Sequence, residues 1–101
     1  MAPRLELHTI LKALLGSSNV YFQPPSTMEM KYPCIIYKRD SANESFADNI
    51  KYEKRQRYQV TIVDRNPDSD IPEKVAKLPL CSYDRFYAAD NLNHDVFHIF
   101  F

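Results

Sequence analysis

The clearest pattern lies near the start of the chain. Leu7, Ile10, Leu11 and Leu14 recur at i, i+3, i+4 and i+7, with Leu5 and Leu15 widening the stripe. That spacing belongs to a helix with one apolar face. Pro3 suits a first helical turn, where its missing N–H would go unused, and Gly16 suits the position just past the end. A helix over about residues 3–15 is predicted, and its stripe must cover something apolar. Val20-Tyr21-Phe22-Gln23 then reads as a short strand halted by Pro24-Pro25. The prolines between 24 and 33 imply extended loop, because each removes a ladder donor and restricts the residue before it.

Two longer strands follow. Cys34 to Asp40 carries β-branched and aromatic side chains, and within residues 56–65 Tyr58, Val60 and Ile62 alternate with Gln59 and Thr61. Residues 41–50 between them are polar and turn-rich, which suggests a hairpin with a polar arm at about 41–57. Ser69 or Asp70 can cap a second helix, with Pro72 in its first turn, Glu73 near its positive end, and Ile71, Val75 and Leu78 as a narrow stripe. Two closing strands, about 81–89 and 93–101, meet at an Asp/Asn turn. The order α-β-β-β-α-β-β gives an α+β fold: a mainly antiparallel sheet of about five strands with two helices on one face. Leu7, Leu11 and Leu14 are expected to pack on Ile36, Val60, Ile62 and Ile99.

Composition narrows the function classes. A chain of 101 residues is one domain, 1–101. Thirteen basic and thirteen acidic residues cancel, which disfavours a dedicated nucleic-acid binder. No apolar run approaches the ~20 residues that span a bilayer, so no membrane partner is expected. The opening Met1-Ala2-Pro3-Arg4 lacks the apolar stretch of a signal peptide. Cys34 and Cys81 are therefore expected to be reduced and to serve as small apolar packing residues. A single glycine leaves no room for the Gly-rich loops that cradle phosphates.

Candidate chemistry is thin. Asp64-x-Asn66-x-Asp68-x-Asp70 begins like a calcium loop, but Ser69 replaces the sharp-turn Gly and Val75 the bidentate Glu. Local turns and helix capping explain these residues better. His94 and His98 have the HxxxH spacing of a helical zinc site. On a strand, however, four residues span ~13 Å, too far to share a metal. A cysteine nucleophile would need one of these histidines as its base, and no local signature supports that. No catalytic residue, cofactor or metal is assigned, and an enzyme is not expected.

Two features remain. Lys51, Lys54, Arg55 and Arg57 interleave with Tyr52 and Tyr58 as a basic aromatic ribbon, read as a solvated arm able to face DNA or a partner. Seven Tyr and six Phe are many for so small a chain, and Val96-Phe97-His98-Ile99-Phe100-Phe101 carries apolar groups on both sides of a strand. Such a strand needs a cover on its second face, either a helix or another subunit. Phe46, Ile50, Lys51, Lys54, Arg55, Arg57, Phe97 and Phe101 are the candidate assembly residues.

Three segments carry a resemblance to a known family: Tyr32-Pro33-Cys34-Ile35-Ile36-Tyr37, Tyr58 through Ser69, and Tyr87-Ala88-Ala89-Asp90-Asn91-Leu92-Asn93-His94. Over roughly Tyr32 to Phe101 the chain resembles the tail-completion, or tail-to-head joining, proteins of long-tailed bacteriophages, which are tail-terminator-like. The resemblance implies a non-enzymatic virion component at the head-tail junction, present in the host cytoplasm during assembly. It implies a ring, typically hexameric, that caps the tail tube, docks to the head-connector (neck) protein and leaves DNA a passage. The partners would be copies of itself, the tail tube protein and the neck protein. Head completion, a minor capsid neck role, or a small nucleic-acid- or peptide-binding module are the alternatives.

Overall fold

The computed structural model describes residues 3–25, 28–40 and 56–101. Helix α1 spans Pro3–Leu15, followed by strands β1 (Val20–Phe22), β2 (Cys34–Arg39) and β3 (Arg57–Asp64). Helix α2 spans Ile71–Ala76, and strands β4 (Cys81–Ala89) and β5 (Leu92–Phe100) follow. The five strands form one sheet in the order β1-β2-β3-β5-β4. Only β1 and β2 run parallel; the other neighbours are antiparallel. This is the α+β architecture expected from the sequence.

Both helices pack on the same sheet face. Leu7, Leu11, Ile71 and Val75 join Ile35, Tyr37, Tyr58, Val60, Ile62, Phe97 and Ile99 in one buried cluster. The register explains the membership. Ile35 stands opposite Ile62, Tyr37 opposite Val60, and Val60 opposite Phe97, and residues directly opposed across strands share a face. The expectation for β2 needs correction. Ile36 is only half-buried on the opposite face, and its neighbours Ile35 and Tyr37 belong to the core. Leu14 packs at the edge of the cluster rather than within it.

Local chemistry sets the boundaries. Gly16 has φ +82°, the left-handed conformation that ends a helix at low cost, and its N–H donates to Lys12 O at 2.9 Å. Asp90 and Asn91 both take positive φ, 54° and 63°, and join Ala89 to its opposed partner Leu92 by a two-residue turn. Such turns match the natural twist of a hairpin. The turn is thus tighter than predicted, with Leu92 already in β5. Asp70 stands at the N-cap of α2 without a side-chain capping bond, while Ser69 Oγ accepts from Ile71 N–H at 3.2 Å. The calcium-like segment is a chain of local turns: Asn66 N–H donates to Asp64 Oδ1 at 3.0 Å and Asp68 N–H to Asn66 Oδ1 at 2.9 Å.

Candidate assembly surface

The sheet's two edges differ. β1 is a three-residue strand, while β4 runs for nine residues, of which eight are exposed. Tyr83, Phe86 and Tyr87 are 54%, 52% and 42% exposed, the largest aromatic exposures among the described residues. A long edge strand with uncovered aromatics is a ready template for pairing. The pattern of Cys81-Ser82-Tyr83-Asp84-Arg85-Phe86 breaks simple alternation, and the structure shows why. Tyr83 opposes Phe97 and Arg85 opposes Val96, so Asp84 is an extra residue, a β-bulge.

The bulge divides the side chains of β4. Tyr83 and Phe86 oppose Phe97 and Asp95 and so stand on the helix face. Ser82, Arg85 and Tyr87 oppose His98, Val96 and His94 on the other face. Asp84 joins them there, its Oδ2 lying 3.0 Å from His98 Nε2 and 2.6 Å from Arg85 Nη1. The bond from His98 holds the Asp84 carboxyl below its usual range, with the Arg85 charge adding to it.

His98 is also the hub of a wider polar group. Asp40 Oδ2, just past β2, lies 2.9 Å from His98 Nδ1 and 3.4 Å from Arg57 Nε. Neither of these nitrogens makes an aligned hydrogen bond, so the Asp40 contacts are close but poorly directed. The group ties β3, β4, β5 and the exit of β2 together on the face away from the helices. Ser82 stands opposite His98, but an ionised Asp84 only accepts hydrogen bonds, so Nε2 donates to it. A nitrogen that already carries its proton cannot serve as base for the Ser82 hydroxyl.

The other candidate groups are held in local roles. His94 stacks on Tyr87 with ring centres 4.5 Å apart and planes 11° from parallel. It shares β5 with His98 but has its own partners, and among the described residues no group of three metal-binding side chains forms. Cys81 opposes Ile99 on the helix face, away from both histidines. Cys34 and Cys81 are separated by three strand spacings, about 14 Å, beyond disulfide reach. Burial pushes each thiol up to about 11, leaving little thiolate at neutral pH. Among the described residues no helix is long and apolar enough to cross a membrane.

Of the candidate assembly residues, Phe46, Ile50, Lys51, Lys54 and Arg55 lie outside the described residues, as does most of the proposed arm. Arg57 and Phe101 come together at one end of the sheet, where Phe101 N–H donates to Gln56 O at 3.0 Å. Phe101 is half-buried and packs against the core. Phe97 sits within that core at 2% exposure, beneath the Tyr83 ring at 5.2 Å, and is withdrawn from the candidate surface. The terminal strand does have two apolar sides: Val96, on the face without helices, is 1% exposed. Tyr83, Phe86 and Tyr87 replace Phe97 as the surface aromatics. The adjacent Asp84-Arg85 pair interrupts the alternation at the bulge, but it does not say that the aromatics beside it are exposed. Comparison with family models, curated proteins and solved structures finds no match to this chain.

Proposed function

We propose that the chain is a structural virion protein that caps a phage tail tube as a ring and joins the tail to the head connector. The observation that carries this reading is the uncovered aromatic edge strand β4 on a small fold whose histidines and cysteines are occupied or inert. A subunit with unpaired edges hides them by meeting its neighbours, and closure of a ring protects every such edge at once. The resemblance to tail-completion proteins supplies the setting. Copies of the chain, the tail tube protein and the neck protein are the partners, and the virion's head-tail junction is the location. The nucleic-acid alternative is weaker, because Arg57 faces Asp40 and its charge is locally matched.

Electron microscopy of particles assembled without the protein tests the reading. Heads and tails should accumulate unjoined, with some tails overlong. Normal, infectious particles would refute it, and joined particles with unstable, leaking heads would favour the head-completion alternative.

A further inference from the structure

We infer that β4 pairs with β4 of a second copy of this chain, antiparallel, about a two-fold axis normal to the sheet between Asp84 and Arg85. Such an axis leaves every side chain on its own face. It sets Tyr83 against the partner's Phe86, and Asp84 against the partner's Arg85. Ser82 then meets the partner's Tyr87. In a regular strand this register is forbidden, because alternation would put the opposed residues on opposite faces. The extra residue at Asp84 shifts the parity, so Tyr83 and Phe86 share one face while Asp84 and Arg85 share the other. The strand is thereby a palindrome in chemistry as well as geometry.

Three observations favour this occupant. Charge is self-complementary: Asp84 and Arg85 of the two copies form a square of alternating sign at the axis, built from pairs already 2.6 Å apart within each chain. The aromatic groups are self-complementary too, since Tyr83 and Phe86 are each more than half exposed in the single copy and meet across the axis. Finally, the bulge selects the partner. It kinks the edge so that a regular strand cannot follow it, which is how edges are usually protected. Only a strand with the same irregularity at the matching point can run alongside. The pairing belongs to the free chain and excludes a ring contact through the same edge: one patch meets itself here, whereas a cyclic ring joins two different patches, so the dimer must part before a ring closes.

The test is a charge swap in the full chain, followed by sedimentation equilibrium over micromolar to millimolar concentrations. Wild type should shift from monomer to dimer as concentration rises. R85E makes both central positions acidic and D84K makes both basic, so each alone should weaken dimerisation by roughly a hundredfold. An equimolar mixture of the two should dimerise again, because each acidic position then faces a basic one. Thermal melts check that both variants fold. F86D, at an exposed position, should also abolish the dimer, and it replaces D84K if loss of the His98 contact unfolds that variant. A wild type that stays monomeric throughout would overturn the proposal. So would R85E or F86D dimerising like wild type, or two folded charge variants whose mixture stays monomeric.

Discussion

At the scale of single residues, the most informative group sits under α1. Tyr37 is fully buried, yet its hydroxyl reaches His8 Nδ1 at 2.8 Å and Arg4 Nη1 at 3.3 Å. Arg4 can only donate to the Tyr37 oxygen, which leaves the hydroxyl proton free to go to Nδ1 of a neutral His8. Burial lowers the His8 pKa from its usual 6.5, with the Lys12 and Arg4 charges acting in the same direction. The unfolded chain therefore takes up a proton more readily than the folded one. Stability from this group is complete above about pH 6.5 and is lost as pH falls through and below that value. Urea midpoints measured between pH 5 and 7.5 should rise with pH, and His8→Gln should flatten that dependence. Tyr37→Phe should cost about 1 kcal/mol in the same assay, because it leaves His8 Nδ1 without its hydroxyl partner.

The limits of the sequence are visible at the same scale. In Cys34-Ile35-Ile36-Tyr37 every residue is apolar or aromatic, so alternation cannot say which isoleucine faces the helices. Pairing with β3 decides it, because Ile35 meets Ile62. Tyr83, Phe86 and Tyr87 likewise carry no mark of exposure in their own identity. Their fate follows from β4 lying at an edge, and strand order is set by long-range pairing that no local pattern encodes.

At the scale of elements, the apolar stripe of α1 and the alternation of β3 were legible because each period is maintained over several turns or residues. Leu11 is fully buried in the cluster both helices share. Leu11→Ala should lower stability by ~2–5 kcal/mol, measured by denaturant unfolding, through lost burial and a residual cavity. Leu14→Ala should cost clearly less, since Leu14 lies at the cluster's margin. The Asp90-Asn91 turn offers a backbone test that changes no core contact. Asn tolerates the left-handed conformation seen at φ 63°, and Ala does not. Asn91→Ala should cost about 1 kcal/mol.

At the scale of the whole molecule, position in the sheet predicts a gradient of protection. β3 and β5 have strand partners on both sides, whereas β1 and β4 have one each. Amide exchange should be slowest in Arg57–Asp64 and Leu92–Phe100, and clearly faster in Cys81–Ala89 of the monomer. Slowing confined to β4 at high concentration would be the signature of its pairing with a second copy.

The interior place of β5 has a consequence for how the chain is made. Its nine residues come after every other element, yet they sit between β3 and β4. During synthesis β2 and β3 emerge early and can pair, but the free side of β3 waits for a strand still to be translated. β4 also emerges first and has nothing to lie on until β5 arrives. α1, made before these strands, can rest on β1–β3 but finds Phe97 and Ile99 missing from its floor. Completion of the sheet is thus gated by β5. A nascent chain paused before Leu92 exposes an unmatched interior edge, and that is the stage at which a chaperone would matter most.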